Sequence, residues 1–99
     1  MDTIILGQDL KLTLIGGIDL GGGTAKMEFG KRSDVQQGIY SSLDATVDDQ
    51  ATCKCHREFV SANIDEAGIW HFWLRVIDGA GDTYISIKPF LIRVKRPGT

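Results

Sequence analysis

Gly68-Ile69-Trp70-His71-Phe72-Trp73-Leu74-Arg75-Val76 is the stretch that decides the fold. Trp70, Phe72, Leu74 and Val76 recur at every second position, and His71, Trp73 and Arg75 fill the positions between. Successive side chains of an extended chain point to opposite faces, so this pattern is a strand with one face in a core. On a helix the same four apolar residues would split between two opposite sides. The segment is expected to be the central core strand.

Working outward, Asp78-Gly79-Ala80-Gly81-Asp82 is a turn of the kind that needs positive φ. It leads into a run from Thr83 to Lys95, in which Ile85 and Ile87 have one parity and Phe90, Ile92 and Val94 the other. Pro89 sits between the two sets and cannot donate to a ladder, so a bulge or a change of sheet is expected there. Upstream, Leu10, Leu12 and Leu14 alternate within Asp9 to Ile15, and Ala25, Met27 and Phe29 alternate within Thr24 to Lys31. A first strand is expected at Thr3 to Leu6. Residues Arg32 to Ser42 are polar and aperiodic, which suits a longer loop or a sheet crossing. Leu43, Ala45 and Val47 run up to Asp48-Asp49-Gln50, and Ala51, Cys53 and Cys55 run away from it, as in a hairpin with an acidic turn. Glu58 to Glu66 is the one stretch with helical potential, but its apolar face is too thin, so a loop or a single turn is expected.

Six or seven short strands with regularly spaced turns define an all-β chain, expected to form an antiparallel immunoglobulin-like β-sandwich of about seven strands. The 99 residues suffice for a single domain over 1–99, with 42% hydrophobic and 24% charged residues. Eleven basic against thirteen acidic residues give a net charge of -2, so no global positive field draws in nucleic acid or an anionic membrane. No apolar stretch approaches the roughly 20 residues of a spanning helix, and the N-terminus lacks the basic and apolar regions of a signal peptide. Neither nucleic-acid nor membrane partners are therefore expected. Cys53 and Cys55 are expected as free thiols facing the core in a reducing compartment.

Four constellations invite chemistry. Ile18-Asp19-Leu20-Gly21-Gly22-Gly23-Thr24 resembles the first phosphate loop of sugar kinases and actin-like ATPases. That fold needs two lobes and several times this length, so the expected reading is a glycine-rich turn. Cys53, Cys55 and His56 are three soft ligands in four positions, but on one strand His56 faces away from the cysteines, so no metal is expected. Asp78 and Asp82 offer too few oxygens for a calcium loop. Ser86, His71 and Asp78 lack the nucleophile elbow of a hydrolase, so no catalytic residues and no cofactor are expected. Trp73, by contrast, lies on the outer face with His71 and Arg75, and Tyr84 is expected to flank it across the hairpin. Such an aromatic and arginine patch has the composition of an interface hot spot; the alternative expectation is that Trp73 is covered by the N-terminal strand or the long loop.

The order Asp9-Leu10-Lys11-Leu12-Thr13-Leu14, Ile18-Asp19-Leu20, Ala25-Lys26-Met27-Glu28-Phe29, then Asp65-Glu66-Ala67-Gly68-Ile69-Trp70 and the 78–82 hairpin, resembles the N-terminal immunoglobulin-like domain of phage baseplate upper proteins. The resemblance implies a non-enzymatic bacteriophage virion structural protein, a tail, baseplate or fibre-attachment adaptor assembled in the bacterial host cytoplasm. Because the chain stops at Thr99, a separate adaptor or a capsid decoration protein is expected. Its partners would be other virion proteins and further copies of itself in a symmetric array, reached through the outer patch and an arm carrying Ile4 and Ile5. A carbohydrate-binding or adhesive module, with Trp73 and Tyr84 stacking on sugar, is the rival expectation.

Overall fold

The computed structural model describes residues 1–86 and 88–98. Its strands are β1 (Asp2–Ile5), β2 (Leu10–Ile15), β3 (Thr24–Lys31), β4 (Ser41–Asp49), β5 (Lys54–Phe59), β6 (Gly68–Ile77), β7 (Thr83–Ile85) and β8 (Phe90–Lys95), and its single short helix, α1, is Arg32–Val35. The strands follow the order β1-β8-β6-β3-β4-β5-β2, with β7 also paired to β6. The chain is all-β, and its sheet folds over into a nearly closed, barrel-like sandwich.

The alternation of β6 is reproduced in space. Trp70, Phe72, Leu74 and Val76 are buried, whereas His71, Trp73 and Arg75 are half-buried on the other side. This strand is central, with β3 along one edge and β8 and β7 along the other. Phe29, Phe59 and Phe72 meet at the middle of the core, Phe59 edge-on to both others with centroids 4.9 and 5.2 Å away. Rings prefer this offset because their edges are electropositive and their faces electronegative. β4 joins the two layers: Ser41 to Ala45 pair with β3 and Thr46 to Asp49 with β5, and the β4–β5 ladder shifts register between Val47 and Asp49.

Three expectations are corrected. The sheet is mixed, because β1 runs parallel to β8 in a register of Asp2 with Ile92 through Ile5 with Lys95. A short helix lies at Arg32–Val35, inside the stretch taken for a polar loop, while 58–66 holds the expected single turn after the end of β5, with Asn63 donating its N–H to the Val60 carbonyl. The hairpin after β4 has a longer turn than Asp48-Asp49-Gln50. Cys53 lies within it at φ 56, outside the strand, and still buries its thiol beside Cys55 at an Sγ–Sγ distance of 3.9 Å. Of the two alternatives expected at Pro89, a change of sheet does not occur, since β7 and β8 both pair with β6. Ser86 donates its N–H to the Leu74 carbonyl, and Phe90 pairs with Phe72. The parity expected at Ile87 lies outside the described residues, as does Thr99.

Candidate functional site

The sheet presents two places where chemistry gathers, an outer polar face and an open seam. On the outer face, Glu28 of β3 lies opposite Trp73 of β6. Glu28 is 4% exposed. Glu28 Oε1 accepts the Trp73 indole N–H at 2.8 Å and the Arg75 Nε–H at 3.0 Å. Burying a carboxylate is costly unless it is paired and hydrogen-bonded, and here both conditions are met. The bond from Glu28 also raises the Arg75 pKa further, so the guanidinium is firmly charged. Tyr40 stands edge-on to Trp73 with ring centroids 5.3 Å apart. Arg32 Nε donates to His71 Nε2 at 3.2 Å, so that nitrogen carries no proton. Burial and then the Arg32 charge lower the pKa of His71.

His71, Trp73 and Arg75 are thus brought together as expected, but Tyr84 is not among them. Tyr84 pairs with Val76, a core-facing residue, so its ring points to the inner side, and Ile85 takes the outer position beside Arg75. Directly opposed residues on antiparallel strands share a face. Trp73 and Tyr84 therefore lie on opposite faces and form no common stacking platform. The pair Asp78 and then Asp82 raises the pKa of Tyr84. Ile4 and Ile5 belong to β1, which is already paired in its own sheet. Ile4 packs against the core, and Ile5 is exposed.

The seam lies where the sandwich fails to close, between β2 and the β7–β8 edge. It forms a groove of about 600 Å³ floored by Leu14, Ile18, Phe72, Leu74 and Val76 and rimmed by Ile15, Tyr84, Ile85 and Lys88. Ile15, Tyr84 and Ile85 are left exposed along it. Sequence reasoning missed this groove because a seam is a relation between distant strands. It also missed Glu28 and Tyr40. A signal did exist for Tyr84: the turn is symmetric about Ala80, with Asp78 donating its N–H to the Asp82 carbonyl, and that symmetry puts residue 84 opposite residue 76.

The glycine-rich stretch is a turn whose polar groups are used locally. Gly21 and Gly22 have φ of 56° and 91°. Asp19 Oδ1 accepts the Gly21 N–H, and Gln50 Oε1 accepts the Gly22 N–H. Among the described residues no three His, Cys, Asp or Glu side chains are grouped to hold a metal ion. No family model, curated protein or solved structure matches the chain.

Proposed function

We propose that this chain is a non-enzymatic structural protein of a bacteriophage particle, an immunoglobulin-like adaptor in the tail, baseplate or fibre attachment that works by protein–protein contact. The observation that carries the contact role is the set of large apolar side chains, Ile15, Tyr84 and Ile85, left exposed along the lining of one seam. Continuous apolar surface of this kind on a small domain marks an interaction site. The placement in a phage particle rests on the resemblance of the strand and turn motifs from Asp9 to Asp82. Partners are other virion proteins, with copies of the chain set out by the particle's symmetry so that weak contacts add.

Mass spectrometry of purified particles tests the reading. The chain is expected at stoichiometric copy number, cross-linked through residues around the seam to a tail or baseplate protein. Cross-links to the major capsid protein would move it to the capsid surface as a decoration protein. Absence from the particles, with a monomer that finds no partner, overturns the reading.

A further inference from the structure

We propose that the seam accepts an extended strand from a different polypeptide, which completes the sandwich between β2 and β7. The proposal rests on the contact reading above and names the chemistry of the partner.

The hydrogen bonds at the two rims specify which backbone groups are unused. Gly16 donates its N–H to the Cys53 carbonyl, and the β2–β5 register runs unbroken from Leu10 with Phe59 to Ile15 with Lys54. In an antiparallel ladder, alternate residues turn their N–H and C=O to one neighbour and then the other. Leu10, Leu12 and Leu14 therefore bond towards β5, and Lys11, Thr13 and Ile15 turn theirs to the open seam. On the other rim, Asp78 donates to Asp82 and Ser86 donates to Leu74, so Tyr84 also bonds towards β6. Thr83 and Ile85 then turn their N–H and C=O outward. Both rims of the groove offer unpaired strand edges.

Proteins protect such edges with charge, proline or cover, because a bare edge templates further pairing. These rims carry Ile15 at 67% and Ile85 at 50% exposure at two of the outward-bonding positions. A β-branched apolar residue on a bare edge suits a strand that is added, since extended peptides bind through backbone bonds plus pockets for alternate side chains. A small apolar ligand would fill the groove and leave both rows of backbone groups unbonded. The floor takes apolar side chains at every second position of the incoming strand. Lys88 is the charged residue of the lining, and the complementary group on the partner is a carboxylate at that level. The occupant is thus an alternating apolar strand with an acidic end.

Amide hydrogen exchange tests this with a synthetic octapeptide that alternates valine and threonine and ends in aspartate. At about millimolar peptide, the amides of Lys11, Thr13, Ile15, Thr83 and Ile85 are expected to gain about tenfold protection or more. The same peptide N-methylated at alternate residues is expected to give none. Thr13→Pro removes an edge donor and leaves the β2–β5 ladder intact, and should weaken binding about fivefold or more. Equal protection by the methylated peptide would show an apolar pocket and overturn strand addition, as would no protection by either peptide. Edge protection that rises with protein concentration, without peptide, would assign the seam to a second copy and overturn a different partner. None of these outcomes alters the chain's presence in or absence from particles, so the two readings fail separately.

Discussion

Glu28 is the residue on which the outer face turns. Its buried carboxylate holds both Trp73 and Arg75, so Glu28→Ala leaves an indole N–H without its acceptor and frees the guanidinium. Hydrogen bonds to a charged group are the stronger kind, and the expected loss is about 2 to 3 kcal/mol in urea denaturation. Trp73 should lose its fixed environment at the same time, seen as a shift in fluorescence. Cys55 governs the alkaline limit. Burial, reinforced by the neighbouring Cys53, pushes its thiol from 9.0 up to about 12. Above the unfolded value the unfolded chain gives up a proton that the folded chain keeps, so stability falls as pH rises from about 9 to about 12. At about pH 10.5 the loss is about 2 kcal/mol. Cys55→Ala should flatten that part of the stability–pH curve relative to the parent, whatever its offset at neutral pH.

At the scale of elements, the 78–82 hairpin shows how far sequence could be taken. The turn is legible: Gly81 adopts φ 90°, and Asp78 Oδ1 accepts the N–H groups of Ala80 and Asp82. Asp78→Ala removes both acceptors and is expected to cost about 1 to 2 kcal/mol, measured as a lower denaturant midpoint with unchanged slope. The faces of β6 were equally legible, because four bulky residues at period two leave no other solution. Three things were not legible. Strand order was one, since nothing local tells β1 to lie beside β8. The partner of an outward residue was another: Glu28 reads as a solvated charge until β3 is set against β6 and Trp73 meets it. Cys53 was the third, because a left-handed φ at a non-glycine residue is dictated by the core around the thiol rather than by preference. The candidate site followed the same division. His71, Trp73 and Arg75 came from one strand and were found together, whereas the seam, made from β2 and β7, could not be found without the fold.

For the whole molecule, the topology sets the folding rate. The central pair β3–β6 joins residues 39 to 53 apart, and β1–β8 joins the two ends of the chain. Closing such loops costs entropy before contacts repay it, so refolding should take milliseconds to seconds by stopped-flow fluorescence. Phe72→Ala, in the aromatic centre, is expected to cost about 3 to 5 kcal/mol and to slow refolding, since Phe72 lies where β3, β6 and β8 meet.

The parallel pairing of β1 with β8 bears on mechanical load. Asp2 lies beside Ile92 and Ile5 beside Lys95, so the start of the first strand and the end of the last leave the pair at opposite ends. A force applied between the two termini therefore slides one strand along the other and loads all of their bonds together, in shear. The antiparallel β6–β7 hairpin, pulled open at its free end, would instead yield one bond at a time, like a zipper. Single-molecule stretching through handles at the termini is expected to show a distinctly higher rupture force than pulling through handles at Arg75 and Ile85, which face each other at the open end of the β6–β7 pair. A domain strung in series between two larger bodies would resist tension along that axis in a way that its modest size does not suggest.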